Sequence, residues 1–284
     1  MQEGDPNIND RPVAVVQSLL REISAAPMDV YGASGGAAEI QYLRQLGKTY
    51  IRTVNDMLAI LPPPSKSVRI LEIGAYQGIV SLALSKLGYS VEVFDIPDIL
   101  QSPALRARYD ASGIVYHSGD LAQGKLPLED GWFDCVIACE VIEHLNFNPL
   151  PSFSEVNRVT KLGGFFYIGM PNQARLGNRV RALLGKSTHE PIDLFFRLCC
   201  DRTFRVGLHW REYTMAETME LVTNMGYSTA RSYFYGMESG GAPLTFRDWL
   251  LWLPRAFFPS LKSLLVFVGR KERESCITWP PGSP

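Results

Sequence analysis

The chain has no surplus of charge of either sign. Its 28 Lys and Arg face 29 Asp and Glu, for a net −1 over 284 residues. That balance supplies no basic footprint for a phosphate backbone or an anionic lipid surface, and it argues against nucleic acid as a partner. No apolar run reaches the ~18 residues a membrane-spanning helix requires, which leaves peripheral contact as the only membrane reading. Cysteine is scarce and odd in number: Cys135, Cys139, Cys199, Cys200 and Cys276, with no C-x-x-C pair. Small buried hydrophobes in a reducing compartment are expected, not a disulfide framework or a zinc knuckle. The opening M-Q-E-G-D-P-N-I-N-D is acidic and polar, unlike a secretory leader, so a cytoplasmic protein is expected. There are no internal repeats, and only four histidines.

What is present is an alternation. Residues 13–26 carry apolar positions at helical spacing up to Pro27. Y-G-A-S-G-G at 31–36 reads as a loop, and 37–60 as one helix closed by the prolines at 62–64. S-V-R-I-L-E-I, S-V-E-V-F-D, G-I-V-Y-H, W-F-D-C-V-I-A-C and G-G-F-F-Y-I-G-M then read as strands, with helical stretches between most of them. Such alternation predicts a parallel sheet covered on both faces. The rhythm breaks over 172–208, an insertion read as partly helical. A helix follows, with Thr214 as N-cap, Glu217 at the capping-box position and Gly226 just past its end. Tyr227–Tyr235 and Ser263–Gly269 read as closing strands. The expected organisation is a tail and helical cap over 1–65, a core over 66–270 with insertions at about 172–208 and 236–262, and a tail over 271–284.

Between the first strand and its helix, I-L-E-I-G-A-Y-Q-G places Gly74 and Gly78, with Ala75 between them. Glycine suits a sharp turn that a ligand approaches closely. The pattern is not the G-x-G-x-x-G of dinucleotide folds. It is E-x-G-x-x-x-G, and a carboxylate, Glu72, beside the turn would repel a pyrophosphate and attract a cation. The turn therefore favours S-adenosylmethionine, with its sulfonium and ammonium, over a nicotinamide dinucleotide. Asp95, with Ile96 after it, ends the second strand, where an acid can accept from both ribose hydroxyls. Asp120 follows the third strand, where it can accept from the adenine amino group, with Leu121 to pack on the ring. A helix cap or a solvated loop acid is the alternative for either aspartate. The ordered set carries the argument.

These motifs, with F-D-C-V-I-A-C-E-V-I-E-H-L and L-G-G-F-F-Y-I-G-M-P-N, resemble the class I S-adenosylmethionine-dependent methyltransferases over about Val68 to Arg270. The resemblance implies an α/β, Rossmann-like, seven-stranded sheet of order 3-2-1-4-5-7-6 with the last strand antiparallel. One departure is Tyr76, which stands where that family's turn usually has a third glycine.

In C-E-V-I-E-H-L, a helical turn after the fourth strand would put Glu140, Glu143 and His144 on one face. Ubiquinone-pathway O-methyltransferases have a similar E-x-x-E-H stretch. So do the methyltransferases of the 3′-terminal ribose of small RNAs, in which two Glu, this His and a later His bind a divalent metal that chelates a diol. His209, in H-W-R-E-Y-T, matches that later His in position. The resemblance thus implies a metal set of Glu140, Glu143, His144 and His209 for Mg, Mn, Fe or Zn. Without metal, His144 or His209 would serve as general base, with Glu140 beside them.

The expected function is O-methylation of a hydroxyl on a sugar or glycan, a vicinal diol or an aromatic small molecule. An RNA 3′-terminal ribose methyltransferase, a cofactor-binding but inactive subunit and a nicotinamide oxidoreductase are the other readings. Neutral charge opposes the first of these, the intact acidic set the second and the glycine spacing the third. The stretch 243–261, P-L-T-F-R-D-W-L-L-W-L-P-R-A-F-F-P-S-L, reads as core, acceptor wall, dimer interface or membrane-surface contact.

Overall fold

In the computed structural model, which describes residues 11–25, 37–198, 207–236 and 253–277, the alternation resolves into seven strands. They are β1 (Arg69–Ile73), β2 (Ser90–Asp95), β3 (Val115–Ser118), β4 (Phe133–Cys139), β5 (Thr160–Pro171), β6 (Tyr227–Tyr235) and β7 (Leu264–Lys271). They form one sheet of order β3-β2-β1-β4-β5-β7-β6, the order expected above. β1, β2 and β3 run parallel, whereas β7 is antiparallel to both β5 and β6. The chain divides into two compact units, Met1–Asp120 with Phe133–Cys135, and Leu121–Trp132 with Val136–Pro284.

In the first unit, α1 (Arg11–Ala25) buries Pro12, Val16, Leu19 and Ile23, one stripe at helical spacing. That stripe packs on α3 (Gly47–Ile60) and α4 (Ile79–Leu87). α4 needs cover on two sides because every residue from Ile79 to Leu84 is buried, and it lies between β2 and α1. α1 starts two residues earlier than expected, with Pro12 in its first turn, where no amide partner is lost. The single helix expected over 37–60 is two, α2 (Ala37–Gln45) and α3, separated at Leu46. Gly47 follows the break, and a Cβ there would lie 3.3 Å from Leu20 Cδ1, so its absence lets α1 approach. Two short helices, α5 (Pro97–Leu100) and α6 (Pro103–Ala111), follow β2. The segments 1–10 and 31–36 lie outside the described residues.

In the second unit, α7 (Leu150–Val159) leads directly into β5, which starts three residues before the expected Gly163. β7 is buried from Leu264 to Gly269, as befits a strand paired on both sides. Lys271 near its end is 1% exposed and donates to the carbonyls of Asn157 (2.7 Å) and Thr160 (2.9 Å). The insertion carries α8 (Leu176–Leu183) and α9 (Ile192–Leu198). α10 (Met215–Asn224) opens with a complete capping box: Thr214 accepts from the Glu217 amide, and the Glu217 carboxylate accepts from the Thr214 amide. Of the aromatic stretch, 243–252 lies outside the described residues and Pro259–Leu261 forms a single 3-10 turn.

After α10 the chain reverses at Gly226 with φ 98°, where a Cβ would stand 2.5 Å from the Arg273 carbonyl oxygen. Gly226→Ala therefore combines left-handed strain with a backbone clash. It is expected to cost about 2 kcal/mol or more, read as a lowered urea midpoint with unchanged slope. A loss under ~0.5 kcal/mol would show that the turn relaxes freely.

Candidate functional site

Two groups of polar side chains lie at strand ends, one in each unit, and each is described within its own unit.

In the first unit, the turn from β1 to α4 holds Gly74 (φ 68°), Tyr76 (φ 51°) and Gly78 (φ 75°). Tyr76 thus adopts the left-handed conformation that glycine tolerates better. The Gly74 amide continues the ladder to the Phe94 carbonyl (2.9 Å). Asp95, 8% exposed, accepts from the amides of Tyr76 (2.9 Å) and Ile96 (2.8 Å), so it braces the strained turn from the end of β2. Glu72 is buried and accepts from the Ser81 hydroxyl. Burial raises its pKa to about 7 against the lowering effect of Ser81, and Asp95 adds to the rise. Burial likewise raises Asp95 to about 6, opposed by its two amide bonds. Ala75 is buried. Asp120 is half-buried after β3; Leu121 opens a 3-10 turn in the other unit.

In the second unit, Glu140 follows β4 with φ 54°, a strained position for a non-glycine residue, and its amide donates to Gly169 (2.8 Å). Ile142–His144 is one 3-10 turn, not a longer α-turn. The amides of Trp210 (2.7 Å) and Arg211 (3.2 Å) both donate to the Glu143 carbonyl. His144 Nδ1 meets the Leu208 carbonyl at 3.0 Å. These three bonds fasten the 208–211 segment onto the turn across more than sixty residues of sequence. The result is that ligating atoms of Glu143, His144 and His209 lie within 4.8 Å of one another, the two imidazoles edge to face at 4.9 Å.

The protonation pattern of this cluster follows from its partners. A carbonyl can only accept, so His144 carries its proton on Nδ1, and its Nε2 lone pair is free. Burial, then His209, depresses its pKa to about 4. His209 Nδ1 lies 3.1 Å from Glu212 Oε1. Burial would raise Glu212, but hydrogen bonds from His209 and Arg175 outweigh it and hold the carboxyl down at about 2. Glu212 is therefore an anion, and His209 donates from Nδ1 as well. Glu212 Oε2 accepts from Arg175 and from Asn178 Nδ2 (3.3 Å). Glu143 is the opposite case. It is 0% exposed, and no hydrogen bond of good geometry reaches its carboxylate oxygens; the polar groups beside them include its own amide and the Glu140 carboxyl. Burial first, then the Glu140 charge, pushes it well above the usual carboxylate range. Burial also raises Glu140 to about 7, opposed by His209.

Residues 71–168 match the family model described as "Methyltransferase domain". The chain is 28% identical over 137 residues to the "Ubiquinone biosynthesis O-methyltransferase" of Roseobacter denitrificans, covering 45% of this chain and 54% of that protein. It is 30% identical over 158 residues to a "Probable S-adenosylmethionine-dependent methyltransferase" of Mycolicibacterium smegmatis, covering 56% and 51%. Over its middle part the chain is thus similar to S-adenosylmethionine-dependent methyltransferases. It spans about half the length of the curated relatives it matches. The fold is shared with the methyltransferase from the complex with the Haloferax volcanii Trm112 methyltransferase activator, at TM-score 0.57 and 18% identity, over 81% of this chain and 93% of that one.

Three residues of these two groups carry no clear mark in the sequence. Glu212 and Arg175 orient His209; a His and a Glu at i, i+3 in H-W-R-E was the available signal for the first. Tyr109 on α6 is fully buried, and its ring and hydroxyl lie 2.7–2.8 Å from where a Gly78 Cβ would be. Nothing in the local sequence marks it.

Raised carboxyl pKa values mean that the folded, ligand-free protein binds more protons than the unfolded chain between the two sets of values. These carboxyls lower stability as pH climbs from about 4.5 to about 7, opposed by His144, whose depressed pKa adds stability as pH climbs from about 4 to about 6.5. The Glu72 shift alone corresponds to roughly 2–4 kcal/mol. Glu72→Gln is expected to flatten that fall in urea midpoints measured at pH 5 and pH 8. An identical pH dependence in the variant would place the Glu72 pKa near its ordinary value.

Proposed function

We propose that the chain is an S-adenosylmethionine-dependent O-methyltransferase whose acceptor hydroxyl is held at Glu143, His144 and His209 by a divalent cation. The observation that carries the metal is Glu143. A carboxylate buried against a second carboxyl is destabilising unless a proton or a cation sits between them. Two imidazoles face it with their Nδ1 protons committed to a carbonyl and a carboxylate, the arrangement that orients metal-ligating histidines. Two nitrogens and a carboxylate oxygen fit Mn, Fe or Zn, with Mg less suited to imidazole. When bound, the ion would supply Lewis acidity that lowers the pKa of the acceptor hydroxyl.

On this reading the first unit holds the cofactor. Glu72 and the Gly74–Gly78 turn meet its cationic methionine end, Asp95 and Ile96 its ribose, and Asp120 its adenine. When bound, the cofactor would supply a sulfonium methyl for transfer to the acceptor oxygen, the C–S electron pair staying on sulfur, and the protein would have to take the hydroxyl proton. Glu140 is the group suited to take it, since a carboxyl raised to about 7 is matched to base work near neutral pH. Oxygen as the acceptor atom agrees with the name of the Roseobacter relative.

Chelator should abolish methyl transfer, and added Mn²⁺ should restore it. His209→Ala should lose bound metal and at least 100-fold in turnover while its S-adenosylmethionine affinity stays within twofold. Full turnover in metal-stripped protein would remove the ion from the reaction. In calorimetry Asp95→Ala should weaken cofactor binding at least tenfold; unchanged affinity would take Asp95 out of the site.

A further inference from the structure

A cavity of about 730 Å³ lies within the second unit, and His209 and Glu212 form part of its wall. Its volume falls within the range of small-molecule sites, roughly 300–1,000 Å³. Its lining differs in residue type. Such sites are mostly apolar and aromatic, but among the described residues lining this one there is no Phe, Tyr or Trp, and Pro191 and Gly177 alone lack a polar side chain, although aliphatic stems make about half of the wall apolar. Gln173, Arg181, Thr188 and Arg211 face the space, from α8 and from the segments that flank it.

The charges around it are largely committed. Arg175 is paired with Glu212. Arg211 pairs with Glu217 at 3.2 Å, and the Glu217 carboxylate also closes the cap of α10. Arg181 differs: its Nε donates to the Ser187 carbonyl (2.7 Å), which fixes the side chain, and its two terminal nitrogens have no acidic partner among the described residues. A ligand in this cavity displaces water from guanidinium, amide and hydroxyl groups, and each lost bond must be replaced. A flat aromatic acceptor offers only its few substituents for that purpose. A sugar offers a hydroxyl on nearly every carbon.

We infer that this cavity is the acceptor site and that the acceptor is a polyhydroxylated molecule of the sugar class, not a catechol or other aromatic. Arg181, Gln173 and Thr188 hold the hydroxyls that do not react, and the reacting hydroxyl is delivered beside His209. The inference rests on the methyltransferase reading of the preceding subsection.

Gly177 provides the test. It lines the cavity, yet a Cβ there meets nothing within 4 Å and its φ is not positive. Gly177→Trp therefore adds bulk to the cavity without backbone strain. The full chain with Mn²⁺ and methyl-labelled S-adenosylmethionine is offered methyl glycosides of glucose, mannose, galactose and rhamnose on one side, and catechol and 3,4-dihydroxybenzoate on the other. Transfer is read by mass spectrometry, and acceptor binding by saturation-transfer NMR. Binding of and transfer to one or more glycosides are expected. Gly177→Trp and Arg181→Ala should each lower that transfer at least tenfold, with cofactor affinity and urea midpoint unchanged. Transfer to the catechols and not to the glycosides overturns the inference, as does full glycoside transfer by both variants. Cofactor binding with no glycoside bound or methylated also overturns it. Failure to bind S-adenosylmethionine at all would instead bring down the methyltransferase reading beneath it.

Discussion

A carboxyl group buried beside a second carboxyl organises the second unit. Glu143 is 0% exposed, no hydrogen bond of good geometry reaches its oxygens, and Glu140 stands against it. Left charged, such a group costs several kcal/mol; left protonated, it is of no use as a ligand. The surroundings do not relieve it with an arginine, although Arg175 lies close enough to pair with Glu212. They set two imidazoles against it instead, each with one nitrogen committed elsewhere. Without a cation the carboxyl holds a proton, and a cation among the imidazoles would displace it.

The means of assembly is backbone hydrogen bonding, which is why residues so distant in sequence meet. The Glu143 carbonyl accepts two amides from the segment that carries His209. The Leu208 carbonyl in turn accepts from His144. Because the peptide groups on either side of His209 are fixed, its ring has little freedom left, and Glu212 removes the rest. Local strain accompanies this order. Tyr76 and Glu140, the two non-glycine residues with positive φ among those described, each stand just past the end of a strand that leads into a polar group. In both cases hydrogen bonds at the strained residue's own amide hold the conformation: Asp95 for Tyr76 and the Gly169 carbonyl for Glu140.

Much of the fold could be read from sequence because its signals are local. Thr214, Glu217 and Gly226 bracket α10 by capping chemistry that needs no tertiary context, β7 follows from a short apolar run, and β6 from its β-branched and aromatic residues after the turn at Gly226. The glycine turn and its flanking acids could be named for the same reason. The break at Leu46 could not, since it answers to the approach of Leu20 on another helix. Tyr109 was invisible because its place beside Gly78 depends on the register of α6 against the turn. The E-x-x-E-H stretch and His209 could be listed as candidates. That Glu143 would be buried against Glu140, and that Glu212 would fix the tautomer of His209, are properties of packing that spacing does not encode. The polar cavity beside α8 was equally hidden, because its walls come from a stretch without periodicity.

Glu143 exchanges its proton for a divalent cation, and manganese binding tests this most directly. Metal-stripped protein titrated with Mn²⁺ at pH 7.5, followed by the loss of the free-ion electron paramagnetic resonance signal, should take up one ion per chain. Glu143→Gln, which keeps the shape and removes the charge, should take up none over the same range. Equal uptake by both proteins, or none by either, would contradict the account.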